Sequence, residues 1–311
     1  IDNVYAPWLE VHRKDGKATA DRIRACFGKE LGSKRLPELT PWMVEKWKTQ
    51  RLKDGRAPAT VHRDLGALKT ALNRAADWGY VDANPIAKAK PPENKDDNVT
   101  PRFLDADEAK RLRAVLERRE ERQREERRNA NQWRRVRGYP QMPDLDELPQ
   151  TDRLKPLVLL ALNTGCRRGE LFNLQWEDVD LKGGILTVHG GGAKSGKTRH
   201  IPLNDEARQL LTDWRVSTGA NSGYVFPAED GGRLNNVNKS WRALVAAAQV
   251  ERFRFHDLRH TFASWLVMRG VDLNTVRDLL GHADLKMTLR YAHLTPEHKA
   301  QAVQALAQRA V

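Results

Sequence analysis

Cysteine is nearly absent from this chain: Cys26 and Cys166 are the two in 311 residues. Two cysteines make no disulfide framework, so a reducing, cytoplasmic compartment is the default expectation. Long apolar runs are missing as well. None approaches the ~20 residues that a helix needs to cross a bilayer, and no secretory signal pattern is present, so no membrane partner is expected. Acidic residues are in deficit, 41 against 54 Lys and Arg, for a formal net charge of +13. The resulting pI near 9.9 suits a polyanionic partner, nucleic acid before an anionic membrane surface. The first residue is Ile rather than Met, as expected of a fragment that lacks N-terminal residues.

What is present is mostly helical patterning. In "ATVHRDLGALKTALNRAADWGY", Val61, Leu65, Leu68 and Leu72 recur at i, i+4, i+7 and i+11, an apolar stripe that Gly79 closes. "TPWMVEKWKTQRLKDG" opens with Thr40 as N-cap and Pro41 in the first turn. "AKAKPPENKDDNVTPRF" (87–103) has almost no apolar content and is the best linker candidate. These readings divide the chain into a helical domain over 1–90, a linker over 91–103 and a second domain over 104–311. Residues 117–137 hold nine Arg and five Glu, a balance that reads as a solvated helical extension. With the loop that follows to about Thr151, it forms a charged insertion over 117–150.

Beyond it come a buried helix, a turn at Thr164-Gly165 and a second helix from about Arg168. A β-hairpin is expected at about 185–189 and 199–203, around a Gly- and Lys-rich loop. Further helices are expected over about 204–217, 235–249, 257–269 and 272–280, near Tyr291, and from Pro296 to the end. The expected fold is mainly α with a small antiparallel β-sheet in the C-terminal domain.

The stretch "HDLRH" (256–260) opens one of these helices with two imidazoles and a guanidinium. His256 and Arg259, at i and i+3, share a face, while Leu258, Phe262 and Trp265 form a separate apolar stripe. One face packs; the other offers nitrogen donors to an anion. Upstream, "TGCRRGEL" supplies Arg167 and Glu170, and "GGAKSGKTRHIPL" supplies Lys194. Downstream, "LLGHADLKMTLRYAHL" supplies His282 and Tyr291.

In this order and spacing the motifs resemble those of the tyrosine recombinase family, the phage-integrase type. The resemblance runs from about Ile1 to Leu294 and is weakest across 117–150. Over the N-terminal stretch it extends to the family's core-binding domain. It implies site-specific strand exchange on double-stranded DNA through a 3′-phosphotyrosine formed by Tyr291, with no cofactor and no metal. It also implies a homotetramer on two DNA sites, coupled by a C-terminal helix packed in trans, and it admits accessory DNA-bending proteins as partners. The place of action would be the bacterial nucleoid. An N-terminal arm-binding domain is common in such integrases and is not seen in this sequence.

The chemistry suits these residue types. A phenol with an ordinary pKa near ~10 is a poor nucleophile at neutral pH unless its anion is stabilised. A phosphodiester gathers charge on its non-bridging oxygens as it is attacked, and two guanidinium forks, Arg167 and Arg259, match that geometry. The leaving 5′ oxygen needs a proton, which a lysine on the hairpin loop can deliver. The family pattern favours Lys194 over Lys197. His256 is the candidate for contacting the phosphate or taking the tyrosine proton, and the family pattern places His282 on the scissile phosphate. Glu170 is read as a partner that orients nearby groups.

Bland alternatives stand beside these. His260 and His293 read as structural histidines, Arg290 as a solvated or phosphate-contacting residue, and Cys166 as small and buried. Three other functions compete: a type IB topoisomerase with the same chemistry, a DNA-binding regulator with a dead site, and a metal-dependent transposase. The full residue set from Arg167 to Tyr291 argues against the second, and the lack of an acidic triad against the third.

Overall fold

The computed structural model describes residues 1–93, 100–190 and 198–295. The chain divides into two compact units, Ile1–Val99 and Thr100–Val311.

The first unit is built from helices α1 (Tyr5–His12), α2 (Gly16–Leu31), α3 (Pro41–Lys53) and α4 (Pro58–Asp77). Helix α3 starts where the Thr40 hydroxyl accepts the Met43 N–H at 3.3 Å, and Pro41 occupies a position where no donor is needed. Helix α4 buries Val61, Leu65, Leu68 and Leu72, and the chain turns away at Gly79 with φ of +77°. These side chains share one core with Ile23, Phe27 and Trp47. The Trp47 indole is fully buried and donates to the Cys26 carbonyl at 2.8 Å.

The second unit opens with α5 (Ala106–Val136), a helix of 31 residues. A reciprocal cap starts it: the Glu108 N–H donates to Asp105 at 2.7 Å, and the Asp105 N–H donates to Glu108 at 3.2 Å. Leu112, Val115 and Leu116 are buried, and beyond Glu120 the helix carries the charge run. Its arginines do more than solvate. Arg124 donates to the carbonyls of Leu145 and Leu148, Arg127 to that of Pro143, and Asn131 exchanges two bonds with Met142. The loop after α5 thus runs back along the helix as a strap.

Then follow α6 (Leu154–Thr164), α7 (Arg168–Asn173), β1 (Val179–Asp180), β2 (Ile185–Val188), β3 (Arg199–Pro202) and α8 (Asp205–Thr218). After them come α9 (Asn238–Ala247), α10 (Asp257–Met268), α11 (Leu273–Leu280) and two 3-10 turns, Leu285–Met287 and Leu289–Leu294. Helix α6 is apolar on nearly every side and packs between α8 and α10. The sheet is antiparallel in the order β1-β2-β3, with Leu186 opposite Ile201 and Val188 opposite Arg199. The expected hairpin gains β1, whose two residues are too short to show an alternating pattern. The segment around Tyr291 is a 3-10 helix, and the terminal helix expected from Pro296 lies outside the described residues. The architecture is mainly α with one small antiparallel sheet, as expected from the sequence. Among the described residues no helix is long and apolar enough to cross a membrane.

Candidate active site

The site forms where the ends of α6, α7, α10 and α11 meet. Helix α6 stops at Gly165, which takes a left-handed φ of +63°. Its carbonyl accepts Nη1 of Arg259 at 2.8 Å, and the carbonyl of Leu280, the last residue of α11, accepts Nη2 at 2.6 Å. The partial negative charge of two helix ends therefore holds one guanidinium. Arg259 is buried. Burial first, and then the charge of Arg167, brings it down to about 10, so it remains a cation at neutral pH. Two of its five N–H groups face carbonyls, which leaves three for an anion.

Arg167 caps α7 from outside. Its backbone N–H and its Nη1 both donate to Glu170, each at 2.8 Å. Glu170 in turn accepts a fork from Arg199 of β3 at 3.0 and 2.6 Å, while Arg199 Nε donates to the Leu279 carbonyl at 3.0 Å. Burial opposes the Glu170 charge, but Arg199, and then the Arg167 backbone and side chain, outweigh it and bring the carboxyl down to about 2. Glu170 is thus an anion that accepts from two arginines at once.

His256 is exposed at the start of α10. His282 follows Gly281, whose φ of +63° ends α11, and its Nδ1 lies 2.8 Å from the buried Thr288 hydroxyl. Burial first, and then the charges of Arg259 and Arg167, pull His282 down to about 3. His256 is exposed as a whole residue, but the part of its ring that faces the site is desolvated, and this, followed by the charge of Arg259, lowers it. Both imidazoles are neutral at pH 7.

Tyr291 is 1% exposed and packs with Phe262, Val267, Val276 and Leu280. Burial pushes its phenol up to about 12, against the opposing charges of Arg259 and Arg290. Its hydroxyl is 2.6 Å from Nδ1 of His260. The structure thus gathers Arg167, His256, Arg259, His282 and Tyr291 around one locus, with Glu170 behind Arg167. Lys194 and its competitor Lys197 lie outside the described residues. Cys166 is buried, and burial followed by the Glu170 charge pushes its thiol up to about 11, which suits packing rather than attack.

Two contacts at the site have little signal in the sequence. His260 is a buried histidine with its hydrogen bond satisfied, as expected, and what the structure adds is the identity of the partner, Tyr291. Arg199 had a weak signal, an arginine at an inward position of a short strand. Beside the locus runs an open groove of about 590 Å³ whose lining includes Arg167, Arg168, Trp241, Arg242, Arg254 and His256.

A helical domain with a three-stranded sheet, two anchored arginines, two neutral histidines and a C-terminal tyrosine has the make-up of the tyrosine-type recombinase class. Residues 138–298, just over half of the chain, match the phage integrase family. The integrase of Salmonella phage P22 is 32% identical over 257 residues, 78% of this chain and 56% of that protein's length. Tyrosine recombinase XerC of Xanthomonas campestris pv. campestris (strain B100) is 30% identical, across 99% of this chain and 84% of its own. Among solved structures, the Tn1549 transposon integrase in complex with a circular intermediate DNA superposes with a TM-score of 0.66 at 18% identity, covering 99% of this chain and 98% of that one. A lambda integrase dimer bound to a COC′ core site also gives 0.66, at 19% identity and 92% of each chain. The chain belongs to the phage integrase family of tyrosine recombinases, whose activity is site-specific DNA recombination.

Proposed function

We propose that this chain cleaves and rejoins duplex DNA at specific sites with Tyr291 as nucleophile. The observation that carries the reading is the convergence of Arg167, Arg259, His282 and Tyr291 from four separate elements. In the step proposed, the Tyr291 oxygen bonds to the phosphorus as its proton passes to the neutral imidazole of His256, and the bond from phosphorus to the 5′ oxygen breaks as Lys194 gives that oxygen a proton. The product is a 3′-phosphotyrosine and a free 5′ hydroxyl. A 5′ hydroxyl of a second duplex reverses the step, and the phosphotyrosine conserves the energy of the broken bond. The free N–H groups of Arg259 and Arg167 take the non-bridging oxygens, where charge grows. Neutral His256 and His282 are suited to donate hydrogen bonds there without a net charge of their own.

The arginine-lined groove would receive the phosphates that flank the scissile one. Exchange between two duplexes needs four cleavages, so four copies would assemble on two sites. Residues 297–311 would pack on a neighbouring copy, and accessory proteins that bend DNA would act with them at the nucleoid. Deleting 297–311 should then impair assembly on DNA more than binding to a single site.

The test of the chemistry is a matched set of variants. Tyr291→Phe should fold and bind DNA but form no covalent adduct. Lys194→Ala should cleave ordinary DNA very slowly, because an unprotonated alkoxide leaves poorly. Replacing the bridging 5′ oxygen by sulfur should restore cleavage by Lys194→Ala and leave Tyr291→Phe inert. Rescue of Lys197→Ala or His256→Ala in place of Lys194→Ala would move the acid to that residue.

A further inference from the structure

The hydroxyl of Tyr291 makes one side-chain hydrogen bond among the described residues, and its partner is a second buried side chain. His260 is 8% exposed and Tyr291 1%. Nδ1 and the phenol oxygen are 2.6 Å apart, and the two rings lie 5.9 Å apart, inclined at 51°. A buried phenol without a partner bears the desolvation cost of its O–H uncompensated, so a contact between two buried groups is a built one. His260 also follows Arg259 directly on α10. One turn of one helix therefore holds the guanidinium that faces the Gly165 and Leu280 carbonyls and, next to it, the imidazole that faces the nucleophile. The register between phosphate clamp and tyrosine is set by adjacent residues on a rigid element.

Resting on the reading of Tyr291 as nucleophile, we propose that His260 is its positioning residue: a neutral imidazole whose Nδ1 accepts the Tyr291 O–H and stores the uncharged phenol beside the arginines until a phosphate docks. Nε2 then carries the ring proton. The imidazole acts as an acceptor and not as a base. Burial, and then the neighbouring His256 ring edge-on at 5.2 Å, weaken its hold on a proton and bring it down to about 4. Losing this bond frees the phenol to turn among its apolar neighbours, so fewer encounters with bound phosphate find it in line.

The test is single-turnover formation of the covalent adduct on a nicked DNA substrate, with DNA affinity and thermal unfolding measured beside it. His260→Leu removes the acceptor and should slow the adduct step by about tenfold or more with DNA affinity unchanged. His260→Asn puts an amide oxygen close to the Nδ1 position and should recover most of that loss. If His260→Leu does not fold, His260→Gln takes its place, because its amide lies too far out to reproduce Nδ1. Adduct formation at the unaltered rate without an acceptor overturns the proposal, and so does an equal loss in the Leu and Asn variants, which would make the role one of packing. A 3-fluorotyrosine at position 291 gives a readout free of DNA: its fluorine resonance should shift when the acceptor is removed and return with His260→Asn, and an unmoved resonance counts against the contact. Adduct formation by Tyr291→Phe would instead overturn the choice of nucleophile, while the fluorine resonance would still report on His260.

Discussion

At the base of the site one carboxylate, Glu170, accepts from Arg167 and Arg199 at once and is 5% exposed at its side chain. Removing its charge leaves two cations without their anion. Glu170→Gln should therefore destabilise the protein by about 3–5 kcal/mol at neutral pH, measured by denaturant unfolding. The pH dependence has a definite sign. The folded value of about 2 lies below the ordinary 4.5, so this contribution is complete above pH 4.5 and is lost as the pH falls toward 2. The gap between wild type and variant should close across that window. His260 and His282 act in a higher one. Their folded values of about 4 and about 3 lie below the ordinary 6.5. Unfolded chains take up these protons first, so stability should begin to fall below pH 6.5, before Glu170 titrates. A double variant, His260→Asn with His282→Asn, should flatten the stability profile between pH 6.5 and 4.5. An unchanged slope there would remove the histidines from the account.

Elements meet at this site through their ends, and two glycines show what an end has to satisfy. Gly165 closes α6 at φ of +63° and Gly219 closes α8 at +64°. Their backbones are alike, so the conformational cost of an alanine is about 1–2 kcal/mol at each. Their surroundings differ. A Cβ at Gly219 meets nothing within 4 Å, whereas at Gly165 it would collide with the Phe262 ring and stand 3.0 Å from Leu280. Gly165→Ala should thus cost clearly more stability than Gly219→Ala in parallel thermal unfolding. It should also slow adduct formation, because the Gly165 carbonyl holds Arg259 and Phe262 packs with Tyr291. Equal destabilisation in the two variants would mean that α6 and α10 can move apart cheaply.

For the molecule as a whole, a net charge of +13 sets the terms of binding. Neutralising phosphates releases counterions, so the logarithm of DNA affinity should fall linearly with the logarithm of salt concentration, with a slope of about −0.9 per phosphate contacted. Arg242 lines the groove beside Arg167 and His256. Arg242→Ala should weaken binding by a similar factor on all sequences and reduce that slope by about 1, measured by titration at several salt concentrations. An effect confined to one DNA sequence would make Arg242 a reader of bases instead. The strap on α5 belongs to this scale too. Arginines of the 117–137 run turn N–H groups toward the chain's own carbonyls, so fewer of their donors are left to reach a polyanion than the residue count suggests.

Legible in the sequence alone were most of the helices, the hairpin, the helical class and the order in which Arg167, Glu170, His256, Arg259, His282 and Tyr291 follow one another, because those properties are local. Apolar spacing marks a helix face, a threonine before a proline marks a helix start, and a motif lies within a few neighbouring residues. The spacing of Glu170 three positions after Arg167 also made their contact foreseeable. Contacts between residues distant in the chain were beyond its reach. The Arg199 fork on Glu170 joins residues 29 apart, and the bond from Tyr291 to His260 joins residues 31 apart. In sequence, a histidine on a helix looks the same whether it fills a core or holds a hydroxyl. The strand β1 was missed for a related reason: two residues carry no period, and only pairing with β2 makes them a strand. Tertiary packing decided which buried polar groups face each other, since pairing in a low-dielectric interior depends on where the backbone brings the atoms and not on which residues are nearby in sequence.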